Sequence, residues 1–147
     1  MENYNSFLDK ADDSYFLFLD DMRHPYDCIE YMPLPGIYAK LNWTIVRNYD
    51  DFVDVVLKMG LPSLISFDHD LADGHYCPEE HWNNYDQWSL ENPSDEKTGM
   101  DVAKWLVDYC IDNNAKLPAY RVHSMNPSGS KNIQSLLDNY KKFENAK

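Results

Sequence analysis

Four short apolar runs divide the chain, and three of them give way to ionisable residues. Tyr15 to Leu19 (YFLFL) is continuously apolar, the pattern of a strand buried on both faces, and leads into Asp20, Asp21, Met22 and Arg23. Trp43 to Arg47 (WTIVR) is aromatic and β-branched, which predicts a second strand. Ser63 to Phe67 (SLISF) predicts a third, running straight into Asp68, His69 and Asp70, and Ala119 to Val122 predicts a fourth that ends at His123 and Ser124.

Between these runs the period changes to that of a helix. Tyr49, Phe52, Val53, Val56 and Leu57 share one face, with Asn48 as the cap, Asp50, Asp51 and Asp54 near the positive end, and Gly60, Leu61 and Pro62 as the stop. Thr98 and Asp101 form a capping box ahead of Val102, Ala103, Leu106, Val107, Cys110 and Ile111. Asn126 and Pro127 suit the cap and first position of a last helix bearing Ile133, Leu136 and Leu137. After the first strand, Pro25, Pro33, Pro35 and Gly36 break any long helix, leaving short turns over Tyr26 to Met32. From Leu71 to Lys97 the chain is polar and aromatic, with Gly74, Pro78 and Pro93, and reads as a loop insertion at 71–97 with a functional part to play.

Strands alternating with amphipathic helices require right-handed crossovers, so the expected fold is α/β: three layers around a mainly parallel sheet of about four strands. The 147 residues suit one domain spanning 1–147, and a 44% hydrophobic share with 14% aromatics can furnish its core. In open sheets of this kind the ligand lies beyond the carboxyl ends of the strands. That rule gathers Asp20, Asp21, Arg23, Asp68, His69, Asp70, His123 and Ser124 at one rim.

Charge narrows the partners. Thirteen Lys and Arg against 25 Asp and Glu leave −12, which repels nucleic-acid duplexes and anionic membranes, while a small phosphorylated substrate or a nucleic-acid end held through metal ions stays open, as does a protein partner. Cys28, Cys77 and Cys110 form no C-x-x-C pair and read as reduced thiols. The first ten residues lack a basic stretch followed by an apolar one, and no run approaches the about 18 residues of a membrane span, so a cytoplasmic location is expected.

Carboxylates converging at one rim repel unless neutralised, and oxygen-rich clusters suit Mg²⁺ or Mn²⁺, which makes Asp20, Asp21, Asp68 and Asp70 candidate ligands. The plain alternative is that Asp20 or Asp70 caps a turn. His69 and His123 are candidates for acid–base work beside Asp68, or for metal binding; packed, hydrogen-bonded histidines are the alternative. Ser124, Asn126 and the helix start after them offer an anion site, or simply a cap. Arg23 could clamp a phosphate or pair with the neighbouring acids. His24, His75 and His81 read as loop residues, and Trp82, Tyr85 and Trp88 could stack on a base.

Four stretches in order, FLDDMRHP (Phe18 to Pro25), ISFDHDL (Ile65 to Leu71), TGMDVAKWL (Thr98 to Leu106) and HSMNP (His123 to Pro127), together resemble the cyclic-phosphate processing receiver-like domain, a relative of the response-regulator receiver. The resemblance implies a receiver- or flavodoxin-like fold and a metal held by Asp20, Asp21 and Asp68. It also implies that His69 and His123 turn a phosphoacceptor site into one that opens cyclic phosphates, on cyclic nucleotides or on 2′,3′-cyclic phosphate RNA ends. A receiver's fifth strand and its lysine have no counterpart here, since the chain runs into a helix containing Lys131, which argues against phosphorelay signalling.

The expected activity is a metal-dependent phosphoesterase, with Arg23, Ser124 and Asn126 binding phosphate, one histidine activating water and the other protonating the leaving oxygen. Two alternatives accompany it. Asp68-His69-Asp70 copies the D-x-D motif of haloacid-dehalogenase-like phosphatases, although there the nucleophile strand comes first. A non-catalytic acidic module that binds a nucleotide or a protein fits the charge equally well.

Overall fold

The computed structural model describes residues 15–71 and 97–146, with the single positions 80, 83 and 87 between them. Most of the 71–97 insertion, with His75, Cys77, His81, Trp82, Tyr85 and Trp88, lies outside the described residues.

Four-residue strands form where the apolar runs predict them: β1 (Phe16–Leu19), β2 (Trp43–Val46), β3 (Leu64–Phe67) and β4 (Ala119–Val122). All pairings are parallel, in the order β2-β1-β3-β4. The helices open on the caps read from sequence. The Asn48 side chain accepts from the Asp51 amide ahead of Tyr49–Met59, Thr98 and Asp101 close a capping box ahead of Gly99–Asp112, and Asn126 accepts from the Gly129 amide ahead of Pro127–Asn145.

The segment after β1 differs from expectation. A 3-10 turn covers Pro25–Cys28, capped by His24, and a six-residue helix follows at Pro35–Lys40. Pro35, taken as a breaker, is tolerated because it sits in the first turn, where a backbone N–H would have no helical partner. In chain order the helices are α1 (Pro35–Lys40), α2 (Tyr49–Met59), α3 (Gly99–Asp112) and α4 (Pro127–Asn145).

Alternation along the strands separates two faces. Leu17, Leu19, Ile65 and Phe67 pack with Phe52 and Val56 of α2, Val102, Ala103 and Leu106 of α3, and Ile133 and Leu137 of α4. On the opposite face Phe18 packs with Cys28 and Tyr38, and Leu64 with Ile37 and Leu41. One face thus carries three long helices and the other a turn and a short helix. Among the described residues no helix is long and apolar enough to cross a membrane.

Candidate functional site

Register brings the polar residues together. Leu19 pairs with Val46 and with Phe67, and Phe67 pairs with Val122, so one row crosses all four strands. The next residues extend that row: the Asp20 amide donates to Val46 O (3.1 Å), that of Asp68 to Leu19 O (2.9 Å) and that of His123 to Phe67 O (2.9 Å). By the two-residue repeat of a strand, Asp20, Asp68 and His123 then fall on the same face as Phe18 and Ser66. His123 indeed lies flat on Phe18, with ring centroids 4.5 Å apart.

Asp20, Asp68 and His123 are all buried, and each offers one ligand atom within 4.8 Å of the other two. Asp20 Oδ1 accepts from the amides of Met22 (2.9 Å) and Arg23 (2.7 Å), while its Oδ2 accepts from His123 Nε2 at 3.0 Å. Burial would raise the Asp20 pKa, but His123 and the two amides outweigh it and hold the carboxyl below its ordinary value. Asp68 goes the other way. Burial, with the negative charge of Asp20 beside it, pushes its pKa up to about 8. Burial lowers the His123 pKa, partly offset by Asp20.

Arg23 is 3.8 Å from Asp20 Oδ2, with its guanidinium over the Tyr31 ring and its side chain 28% exposed. Arg47 was not singled out in the sequence. From the end of β2 its Nη1 donates to the carbonyls of Asp20 (3.1 Å) and Arg23 (2.7 Å), pinning the loop that carries both. The signal was available, because Arg47 ends an apolar run just as Asp20 and Asp68 follow theirs.

His69 and Asp70 enter a second polar knot. Asp70 Oδ1 is 2.8 Å from His69 Nδ1 and accepts from Asn126 Nδ2 at 3.4 Å, and all three residues are buried. Asn126 Oδ1 accepts from the Gly129 amide (2.9 Å) as the cap of α4, and Ser124 Oγ accepts from the Asn126 amide (3.1 Å), so two of the three side chains expected to bind phosphate hold the turn that opens this helix. Asp21 and Asp70 are not in the group formed by Asp20, Asp68 and His123. Cys28 is a buried thiol whose pKa burial raises to about 11, which keeps it protonated and unreactive at neutral pH.

Gly129 makes room for His69: a Cβ there would lie 2.5 Å from the ring's Cγ. Alanine normally improves a helix by up to about 1 kcal/mol over glycine. Here Gly129→Ala is expected to destabilise by about 1–3 kcal/mol, because the ring is walled in and tied to Asp70. Urea denaturation reads the sign, and a gain in stability would show that the ring is not confined.

The family model described as "Cyclic-phosphate processing Receiver domain" matches residues 15–139. No curated protein and no solved structure matches the chain significantly.

Proposed function

The chain belongs to the cyclic-phosphate processing receiver domain family, and on that premise we propose that it hydrolyses a cyclic phosphate ester, of a cyclic nucleotide or a 2′,3′-cyclic RNA end, with the help of Mg²⁺ or Mn²⁺. The observation that carries the reading is the approach of the Asp20 and Asp68 carboxylates at the carboxyl edge of a parallel sheet. Even with Arg23 at hand, Asp68 beside the ionised Asp20 stays protonated until about pH 8, and a divalent cation would supply the further positive charge that lets both carboxylates ionise. When bound, such a cation draws charge from a phosphoryl oxygen and favours attack at phosphorus.

The residues divide the remaining work. Asp20 and Asp68 hold the cation, with Asp21 next along the same loop. Arg23, whose side chain is partly exposed, neutralises a phosphate oxygen. A carboxylate at Asp70 accepts both from Asn126 Nδ2 and from His69 Nδ1, which places a proton on Nδ1. That is the tautomer of a general base oriented by a carboxylate. His69 takes a proton from water as its oxygen bonds to phosphorus, and the proton returns to the ester oxygen as the ring P–O bond breaks.

The test is hydrolysis by the purified chain of 2′,3′- and 3′,5′-cyclic nucleotides and of an oligoribonucleotide ending in a cyclic phosphate. A phosphate monoester should form with Mg²⁺ or Mn²⁺, disappear with EDTA and return on adding the cation back. His69→Ala should reduce the rate by about 10²–10⁴. A chain that stays inert with both cations, or binds these ligands without turnover, would instead be an acidic binding module.

A further inference from the structure

Behind Asp20 runs a buried line of hydrogen bonds that the chemistry above does not use. Tyr38 OH is 2.8 Å from Ser66 Oγ, Ser66 Oγ is 2.7 Å from His123 Nδ1, and His123 Nε2 is 3.0 Å from Asp20 Oδ2. Ser66 and His123 are wholly buried and Tyr38 is 2% exposed. Distances alone do not say which atom donates, but the two ends do.

At the Asp20 end, an ionised carboxylate can only accept, so Nε2 must carry the proton. At the Tyr38 end, the Arg121 guanidinium lies 6.0 Å from the ring centroid and pulls on the phenol oxygen, and arginine has no acceptor to offer. The phenol proton therefore goes to Ser66 Oγ, the serine proton to His123 Nδ1, and the imidazole proton to Asp20. Both ends impose the same direction. A neutral, Nε2-protonated His123 satisfies every link and gives the phenol proton an acceptor, whereas an imidazolium would turn both hydroxyls around and place a charge on a wholly buried ring.

We infer that Tyr38 and Ser66 are positioning residues of this site: their hydroxyls donate in one direction through His123 and so fix the Asp20 carboxylate for a cation. The inference rests on the cation-assisted reading above. It makes His123 a residue that acts through Asp20, since Nε2 is committed to that carboxylate and has no lone pair for a metal. Taking His123 as a ligand would require every proton in the line to reverse. Groups that orient a metal ligand in this way are worth about 10–100-fold in metal affinity.

Two measurements on the full chain test it. Ring ¹⁵N NMR of His123, with and without Mg²⁺, should show a protonated Nε2 and a bare Nδ1 in both states. Mn²⁺ titration followed by calorimetry or electron paramagnetic resonance should show affinity falling about ten-fold or more in Ser66→Ala, and by less in Tyr38→Phe, which keeps the ring and removes only the first donor. A proton on Nδ1, a switch to Nδ1 when Mg²⁺ is added, or unchanged Mn²⁺ affinity in both variants would overturn the inference. If the wild-type chain took up no Mn²⁺, the cation reading would fall, and the ring NMR would still decide the direction of the line.

Discussion

Asp68→Asn is expected to do two opposite things: reduce cyclic-phosphate hydrolysis by about a thousand-fold, or ~4 kcal/mol of transition-state stabilisation, and make the cation-free protein more stable at alkaline pH. The loss follows from removing one of the two carboxylates proposed to hold the cation. The gain follows from the raised pKa. Burial, with the ionised Asp20 beside it, pushes the Asp68 pKa in the folded chain from the ordinary 3.8 up to about 8. The folded state therefore holds the proton more tightly than the unfolded state. The stability this group contributes is complete below its unfolded pKa of 3.8 and is lost as pH rises through about 8.

Asparagine keeps the size and an acceptor for the His69 amide, which donates to Asp68 Oδ1 at 2.9 Å, but it has no charge to develop. Denaturation in chelator at pH 5 and pH 8.5 should show the wild type weakening between the two while the variant holds level. An equal decline in both proteins would mean that Asp68 is not the group responsible. Added Mg²⁺ should restore the wild type at the higher pH and leave the variant unchanged.

Gly99→Ala is expected to cost about 3 kcal/mol or more, at the upper end for overpacking. A Cβ at Gly99 would lie 1.8 Å from the carbonyl oxygen of Asp68 and 3.0 Å from the Cα of His69. No rotamer relieves that contact, because the opposing atoms are backbone. The Gly99 amide also donates to His69 O at 2.7 Å, so the start of α3 is tied to the segment it would have to leave. Circular dichroism melting of Gly99→Ala beside Gly60→Ala would separate the causes. Gly60 has open space around it and only a positive φ of 82° to defend. Gly99→Ala should be the more damaging of the two, and an equal or smaller loss would show that α3 can shift away from β3 at little cost.

The sheet was legible in the sequence because each strand is a short, mostly apolar run with a helix cap or an ionisable residue at its end. Asn48, Thr98 and Asn126 all cap the helices they were expected to cap. The short helix α1 was not legible, since proline rules by themselves cannot tell a helix start from a helix stop at Pro35. The rim was legible as a set of residues but not as a geometry. Asp68 and Asp70 read as one paired motif, yet Asp68 stands in the group with Asp20 and His123 while Asp70 bonds to His69 and Asn126.

Ser66 went unread because one serine in SLISF looks like a tolerated small residue. Strand alternation held the clue: Ser66 lies two residues before Asp68 and pairs with Arg121, two residues before His123, so it had to face the same way as both. Tyr38 could not have been found, as it reaches Ser66 from a helix the sequence did not announce.

The sheet's two faces divide the labour of the molecule. Leu17, Leu19, Ile65 and Phe67 anchor three helices on one side, and the hydroxyl, imidazole and carboxyl groups of Ser66, His123 and Asp20 are linked on the other. Adjacent letters in a strand therefore answer to different masters, and drift in one set can alter durability while leaving reactivity intact. A lineage built on this scaffold could retune its chemistry at the polar positions of that second face while the three-helix side keeps its packing.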